Sequence, residues 1–148
     1  MRRTPCGPRS VPRAVLDTNV LVSALITPDG ASARLLLELR AGAFELVVSP
    51  LLLGELRDVL LRDKFRRYVT EPEIDAYLAL IASEGIHHDD PAPAGEPIGA
   101  DPGDEYLIDL ARLARVDALV SGDGHLLDLR EMLPVMSPAE FLLTLAGA

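Results

Sequence analysis

Short apolar runs alternate with longer stretches of helical periodicity along most of this chain. Residues 13–17 and 44–49 read as buried strands, carrying Val and Leu without the strict polar alternation of a half-exposed sheet. Residues 117–121 and 134–136 repeat the pattern, and Ile86-His87-His88 has the length of a short further strand. Between these runs, apolar positions recur at helical spacing. Residues 19–26 predict a short helix with Val20, Leu21 and Ala24 turned inward. Ser32 is the expected N-cap of a helix to about Ala41, with Gly42 at its C-terminal end. Pro50 suits the first turn of a helix expected to run to about Arg67 on a stripe of Leu51, Leu52, Leu56, Val59 and Leu60. Thr70 and Glu73 form a capping-box pattern ahead of Ile74, Tyr77, Leu78 and Ile81, and Gly85 is the stop. Asp104 opens a helix to about Arg115, with Leu107, Ile108, Ala111 and either Leu113 or Ala114 as its buried face. A turn with a short helix over residues 122–128 and a terminal helix capped by Ser137-Pro138 complete the order. Strands alternating with helices predict the α/β class: a three-layer α/β/α sandwich around a mainly parallel sheet of about four to five strands.

The first 12 residues carry Pro, Gly, Arg and Ser without periodicity and are expected to form a disordered leader, leaving residues 13–148 as one domain. Residues 89–103, rich in Pro, Gly and Asp, read as a loop within that domain. No apolar stretch approaches the length that crosses a bilayer, and Arg2-Arg3 lacks the hydrophobic segment an export signal needs. The single cysteine, Cys6, has no internal disulfide partner, which fits a reducing, cytoplasmic setting. A net charge of −9 argues against a general nucleic-acid coat protein. It leaves room for a nuclease, because bound divalent cations offset an acidic cluster and form the attractive surface themselves.

Four carboxylates change the picture. Asp17 stops the first strand, and Asp123 follows the fourth through Ser121-Gly122. Asp104 stands at a helix start, and Glu55 falls on the helical wheel between the buried positions Leu52 and Leu56. Each has an ordinary alternative: Asp17 and Asp104 suit helix N-caps, Asp123 an Asp-Gly turn, and Glu55 a solvated flank. Together they bring three acids to one edge of the sheet and a fourth from the intervening helix. In an open parallel sheet ligands bind outside the carboxyl ends of the strands. Acids gathered there repel unless a cation sits between them, and oxygen ligands select a hard metal suited to phosphate chemistry.

Other groups are less telling. Arg57, Arg62, Lys64, Arg66 and Arg67 are the basic concentration of the folded part and read either as an RNA-backbone track or as a solvated face interspersed with Asp58 and Asp63. His87, His88 and Asp89 look ligand-like, but neighbours in a strand point to opposite faces. His125, two residues after Asp123, is close enough to touch a substrate. Phosphotransferases of the haloacid dehalogenase type need a second Asp two residues after the nucleophile, where this chain has Asn19. They and receiver domains also need a lysine at the phosphoryl site, and the only lysine, Lys64, lies in or after the third helix. A dinucleotide-binding fold lacks its Gly-rich fingerprint.

The blocks Val15-Leu16-Asp17-Thr18-Asn19-Val20-Leu21, Phe44-Glu45-Leu46-Val47-Val48-Ser49-Pro50, Glu55-Leu56, Arg62-Asp63-Lys64-Phe65, Asp101-Pro102-Gly103-Asp104, Val120-Ser121-Gly122-Asp123 and Ser137-Pro138-Ala139-Glu140-Phe141-Leu142 occur in an order that resembles PIN-domain ribonucleases. The likeness is to the VapC-like branch, the toxins of type II toxin–antitoxin systems. The resemblance implies catalytic and metal-binding acids at Asp17, Glu55, Asp104 and Asp123, with Thr18, Asn19 and Ser121 as polar neighbours that orient them. Residues 91–100 are richer in Pro and Gly than the family pattern, so Asp101 is the rival of Asp104 for the third position. It also implies one or two Mg²⁺ or Mn²⁺ ions, hydrolysis of RNA to 5′-phosphate products, a cognate antitoxin and a homodimer. The alternative is a PIN fold that keeps its shape and works as a binding or regulatory module.

Overall fold

In the computed structural model, which describes residues 11–92 and 102–147, every residue of β2 (Glu45–Val48) and β4 (Ala118–Val120) is buried. So are the last three residues of β1 (Arg13–Leu16). Successive strand side chains point to opposite faces, so unbroken burial means that both faces of the sheet are covered. Two short strands, β3 (Ile86–His87) and β5 (Val135–Met136), complete a five-stranded sheet in the order β3-β2-β1-β4-β5, with all pairs parallel. The expected α/β/α sandwich is therefore present, and each strand is somewhat shorter than the apolar run that announced it.

The helices are α1 (Thr18–Ile26), α2 (Ala31–Arg40), α3 (Pro50–Leu60), α4 (Glu71–Glu84), α5 (Pro102–Leu113), α6 (Gly124–Leu127) and α7 (Pro138–Ala146). No single helix among the described residues is long and apolar enough to cross a membrane. Both capping boxes form. Thr70 accepts from the Glu73 amide while Glu73 accepts from the Thr70 amide, and Ser137 and Glu140 do the same for α7. Phe44, at the entry to β2, meets Phe141 of α7 edge to face at 5.1 Å, tying the C-terminal helix to the core.

Several expectations are corrected. The N-cap of α2 is Gly30, which takes the extended backbone a cap requires, and Ser32 is buried in the first turn. Gly42 follows the C-cap Ala41 at φ 84, a left-handed position suited to glycine, and the amide of Ala43 reaches back to the carbonyl of Glu38. Helix α3 stops at Leu60 instead of Arg67, because Arg62 swings to φ −63, ψ 145 and a short 3-10 turn (Asp63–Phe65) follows. Leu51 is exposed, whereas Leu52, Leu56 and Leu60 form the buried stripe. On α5 the inward face continues to Ala114, and Leu113 is 56% exposed. The first ten residues, Cys6 among them, lie outside the described residues, as does Asp101.

The order of the strands decides where chemistry can occur. From β1 the chain winds outward through β2 and β3 on one side, then returns to place β4 and β5 on the other. The reversal point lies between β1 and β4, whose register pairs Leu16 with Val120. A crevice opens there, outside the carboxyl ends of these two strands.

Candidate active site

Asp17 and Ser121 are the residues immediately beyond that pair. The Asp17 amide extends the ladder by donating to the Val120 carbonyl at 2.9 Å, which fixes the carboxylate at the mouth of the crevice. The side chain is only 6% exposed. Ser121, fully buried, donates its hydroxyl to Asp17 Oδ2 at 2.8 Å and accepts the Asp123 amide at 3.0 Å, so one oxygen links the first and fourth acids. Asp17 also accepts weakly from the Asn19 amide at 3.5 Å as the N-cap of α1. Asp123 caps α6 by accepting from the His125 amide at 2.9 Å. Both acids thus fill the ordinary capping role and stand at the sheet edge as well.

Glu55 reaches the same region from α3. The Thr18 hydroxyl, in the first turn of α1, donates to Glu55 Oε1 at 2.5 Å. Asp104, in the first turn of α5, is buried at 8% exposure. Helix α5 packs against β1 and β4, the two strands that flank the crevice. Burial pushes the Asp17 carboxyl above the usual range, and the charges of Glu55 and Asp123 add to it. The bonds from Ser121 and Asn19 pull the other way. Asp17 is therefore a carboxylate whose ionised form is disfavoured by its surroundings, and a cation would relieve both causes. Among the described residues, however, no three His, Cys, Asp or Glu side chains converge closely enough to hold a metal ion as they stand.

Beside Asp17 a cleft of about 400 Å³ is lined by Asn19, Val20, Ser23, Ser32, Gly122, Asp123 and Pro138. Asn19 is exposed on its wall. The basic group is spread out by the early end of α3 and partly neutralised. Arg57 pairs with Asp75, Arg66 pairs with Asp63 at 3.1 Å, and Lys64 lies over the Phe65 ring. Arg62 and Arg67 are exposed and form no ion pair among the described residues. His87 and His88 are spent on backbone carbonyls, those of Ala82 and Asp89, each at 2.7 Å. The His125 side chain is exposed, 3.9 Å from Asp123.

The sequence profile of the PIN domain matches residues 13–125, from β1 into α6. The chain belongs to the PIN domain family. No curated protein matches it in sequence. Among solved structures, this PIN domain is similar to PAE2754 from Pyrobaculum aerophilum, with a TM-score of 0.63, 16% identity, and 93% of this chain covered against 91% of that one. It is also similar to a chain of VapBC2 from Rickettsia felis, solved bound to a DNA fragment from their promoter, with a TM-score of 0.56, 20% identity, and 84% and 98% covered. At such identities the likeness is one of fold.

One residue of this PIN domain's site escaped the sequence reading. Tyr106, one turn into α5, places a buried hydroxyl beside Thr18 and Glu55. Burial, with the neighbouring charges of Glu55 and Asp17, raises the tyrosine far above its ordinary range. A tyrosine two residues after a candidate acid was the available signal, masked by the apolar stripe that follows it.

Proposed function

We propose that this PIN domain is a metal-dependent endoribonuclease of the VapC toxin type, hydrolysing RNA phosphodiester bonds at the acidic edge between β1 and β4. The observation that carries the reading is Asp17: a buried carboxylate at the switch point of a parallel sheet, destabilised by burial and by two further acids. Such a cost is retained where a ligand removes it, and hard oxygen donors suit Mg²⁺ or Mn²⁺. Asp17, Glu55, Asp104 and Asp123 would hold the ion. When bound, it supplies Lewis acidity that activates water and offsets charge on the phosphate. Ser121 fixes Asp17 relative to Asp123, and Thr18 fixes Glu55, so the acids are oriented by groups that do not themselves react. Asn19 faces the cleft where substrate would lie, and Arg62 and Arg67, with Lys64 beside them, are exposed cations of the basic group that could meet backbone phosphates.

The toxin assignment, with a cognate antitoxin as partner, is supported by family membership and by the likeness to the VapBC2 chain, and a homodimer is the assembly proposed with it. A second reading, a PIN fold that binds without cutting, is favoured by the failure of three described acids to converge on one point. Cleavage of labelled single-stranded and structured RNAs with Mn²⁺, Mg²⁺ or EDTA, alongside Asp104→Asn, separates the two. Metal-dependent cutting that vanishes with EDTA and with the variant is the expected result. Cutting that survives Asp104→Asn would transfer the third position to Asp101. Absence of both cutting and Mn²⁺ binding would leave the binding module.

A further inference from the structure

We propose that the uncapped N-terminus of α2, with the Ser32 hydroxyl, binds a backbone phosphate of the RNA strand next to the one held at the acids; this rests on the nuclease reading above. The cleft beside Asp17 does not end at its own wall. Ser23, Ser32 and Pro138 line it and also line a second hollow of about 270 Å³, which extends to Thr27, Gly30, Ala31 and Ser137. Asn19 stands near the start of α1 and Thr27 at its end, so the joined hollows follow that helix for about 12 Å. Asp123 belongs to the near hollow, and among the described residues no acid lines the far one.

The far end is furnished with donors instead. The amides of Ala31, Ser32 and Ala33 open α2 and have no intrahelical carbonyl to bond. The cap, Gly30, has no side chain to offer them, and the first turn carries no acid. The N-terminus of α7, which reaches the same hollow, is already closed by the capping box of Ser137 and Glu140. Asp29, the acid before Gly30, lines a neighbouring hollow with Arg34 and Leu142. Ser32 points to the same ligand independently. It is only 9% exposed, yet its side chain makes no hydrogen bond among the described residues, and what remains open of it faces the two hollows. A serine so enclosed ordinarily finds a partner within the protein, as Ser49 and Ser121 do. Free amides at a helix start and a hydroxyl directed at the same space make an anion site. A strand whose scissile phosphate lies on a cation at the acids therefore meets donors for a neighbouring phosphate.

Two substitutions test this, by fluorescence anisotropy of labelled single-stranded oligoadenylate and oligouridylate in EDTA, with thermal unfolding as the control for folding. Ser32→Ala should weaken binding of both strands about tenfold, the loss of one hydrogen bond to a charged group. Gly30→Asp supplies the missing cap. The backbone there has φ −83, and an added Cβ meets only Thr27, at 3.4 Å and beyond. Its carboxylate would accept from the amides that the phosphate needs, so affinity should fall by about tenfold or more while the melting temperature stays unchanged or rises. Amides and a hydroxyl read phosphate and not base, so the losses should be equal for the two strands. Variants that bind RNA as tightly as wild type, or a loss confined to one base, would overturn the proposal. If the wild type cuts RNA with Mn²⁺ while the variants keep full affinity, the phosphate subsite falls and the nuclease stands. Binding in EDTA that both substitutions weaken, without cutting of any RNA, would support the subsite and refute the nuclease reading. Wild-type protein that binds neither strand in EDTA would overturn the subsite, and cleavage with Mn²⁺ would then decide the nuclease reading separately.

Discussion

Replacing Ser121 with alanine removes one oxygen from the centre of the site, and its cost can be worked from the structure. That oxygen donates to Asp17 Oδ2 at 2.8 Å and accepts the Asp123 amide at 3.0 Å, with no access to water. A hydrogen bond to a charged acceptor contributes about 1.5–3 kcal/mol and a neutral one about 1 kcal/mol, so Ser121→Ala should cost about 2–4 kcal/mol at neutral pH. For a domain of this size that lowers the melting temperature by roughly 6–12 °C. The bond from Ser121 is also the foremost influence lowering the Asp17 pKa, so its loss pushes that carboxyl further up. The penalty should therefore be largest where Asp17 is ionised and shrink as pH falls through its folded pKa. Guanidinium unfolding of metal-free protein at neutral and mildly acidic pH measures both. A cost below about 0.5 kcal/mol, or one that grows in acid, would refute the view that Ser121 holds a buried anion in place.

Three other predictions follow from separate features. Because the folded state raises the Asp17 pKa, its contribution favours folding at low pH and is lost as pH rises through the folded value. In EDTA, the stability of Asp17→Asn relative to wild type should thus improve from acid to neutral pH, and unfolding curves showing the reverse would contradict the assignment. Gly85→Ala should destabilise by about 1–3 kcal/mol in denaturant titration. A Cβ there would stand 2.9 Å from both the Ile81 carbonyl and Val48 Cγ2, and neutrality would mean the strand entry is looser than described. Arg62→Ala and Arg67→Ala should each weaken binding of single-stranded RNA and reduce the slope of log K against log salt by about 0.7. Arg57→Ala, its guanidinium already held by Asp75, should change that slope little, as a salt titration would show.

The sheet was legible because β1, β2 and β4 are buried on both faces, and a parallel strand in that position must be written as a continuous apolar run. Asp17 was legible for the same reason: an acid that ends such a run arrives at the sheet edge wherever the helices pack. The end of α3 was not. Leu61, Phe65 and Val69 continue an apolar rhythm past Leu60, and only the extended backbone at Arg62 breaks the helix. With that helix shortened, the basic group that looked continuous becomes a set of separate side chains. The partners of Arg57 and Arg66 were equally hidden, since Asp75 lies on another helix and Asp63 reads as an ordinary surface acid. Tyr106 was missed because it meets Glu55 and Thr18, which lie on other helices, and no local pattern encodes that meeting.

The central claim is that the acids between β1 and β4 form a cation site. Calorimetric titration of metal-free protein with Mn²⁺, in parallel with Asp17→Asn, tests it without assuming a substrate. Saturable binding by the wild type that is lost in the variant is the predicted result. Binding of equal strength by both proteins, or by neither, would contradict it.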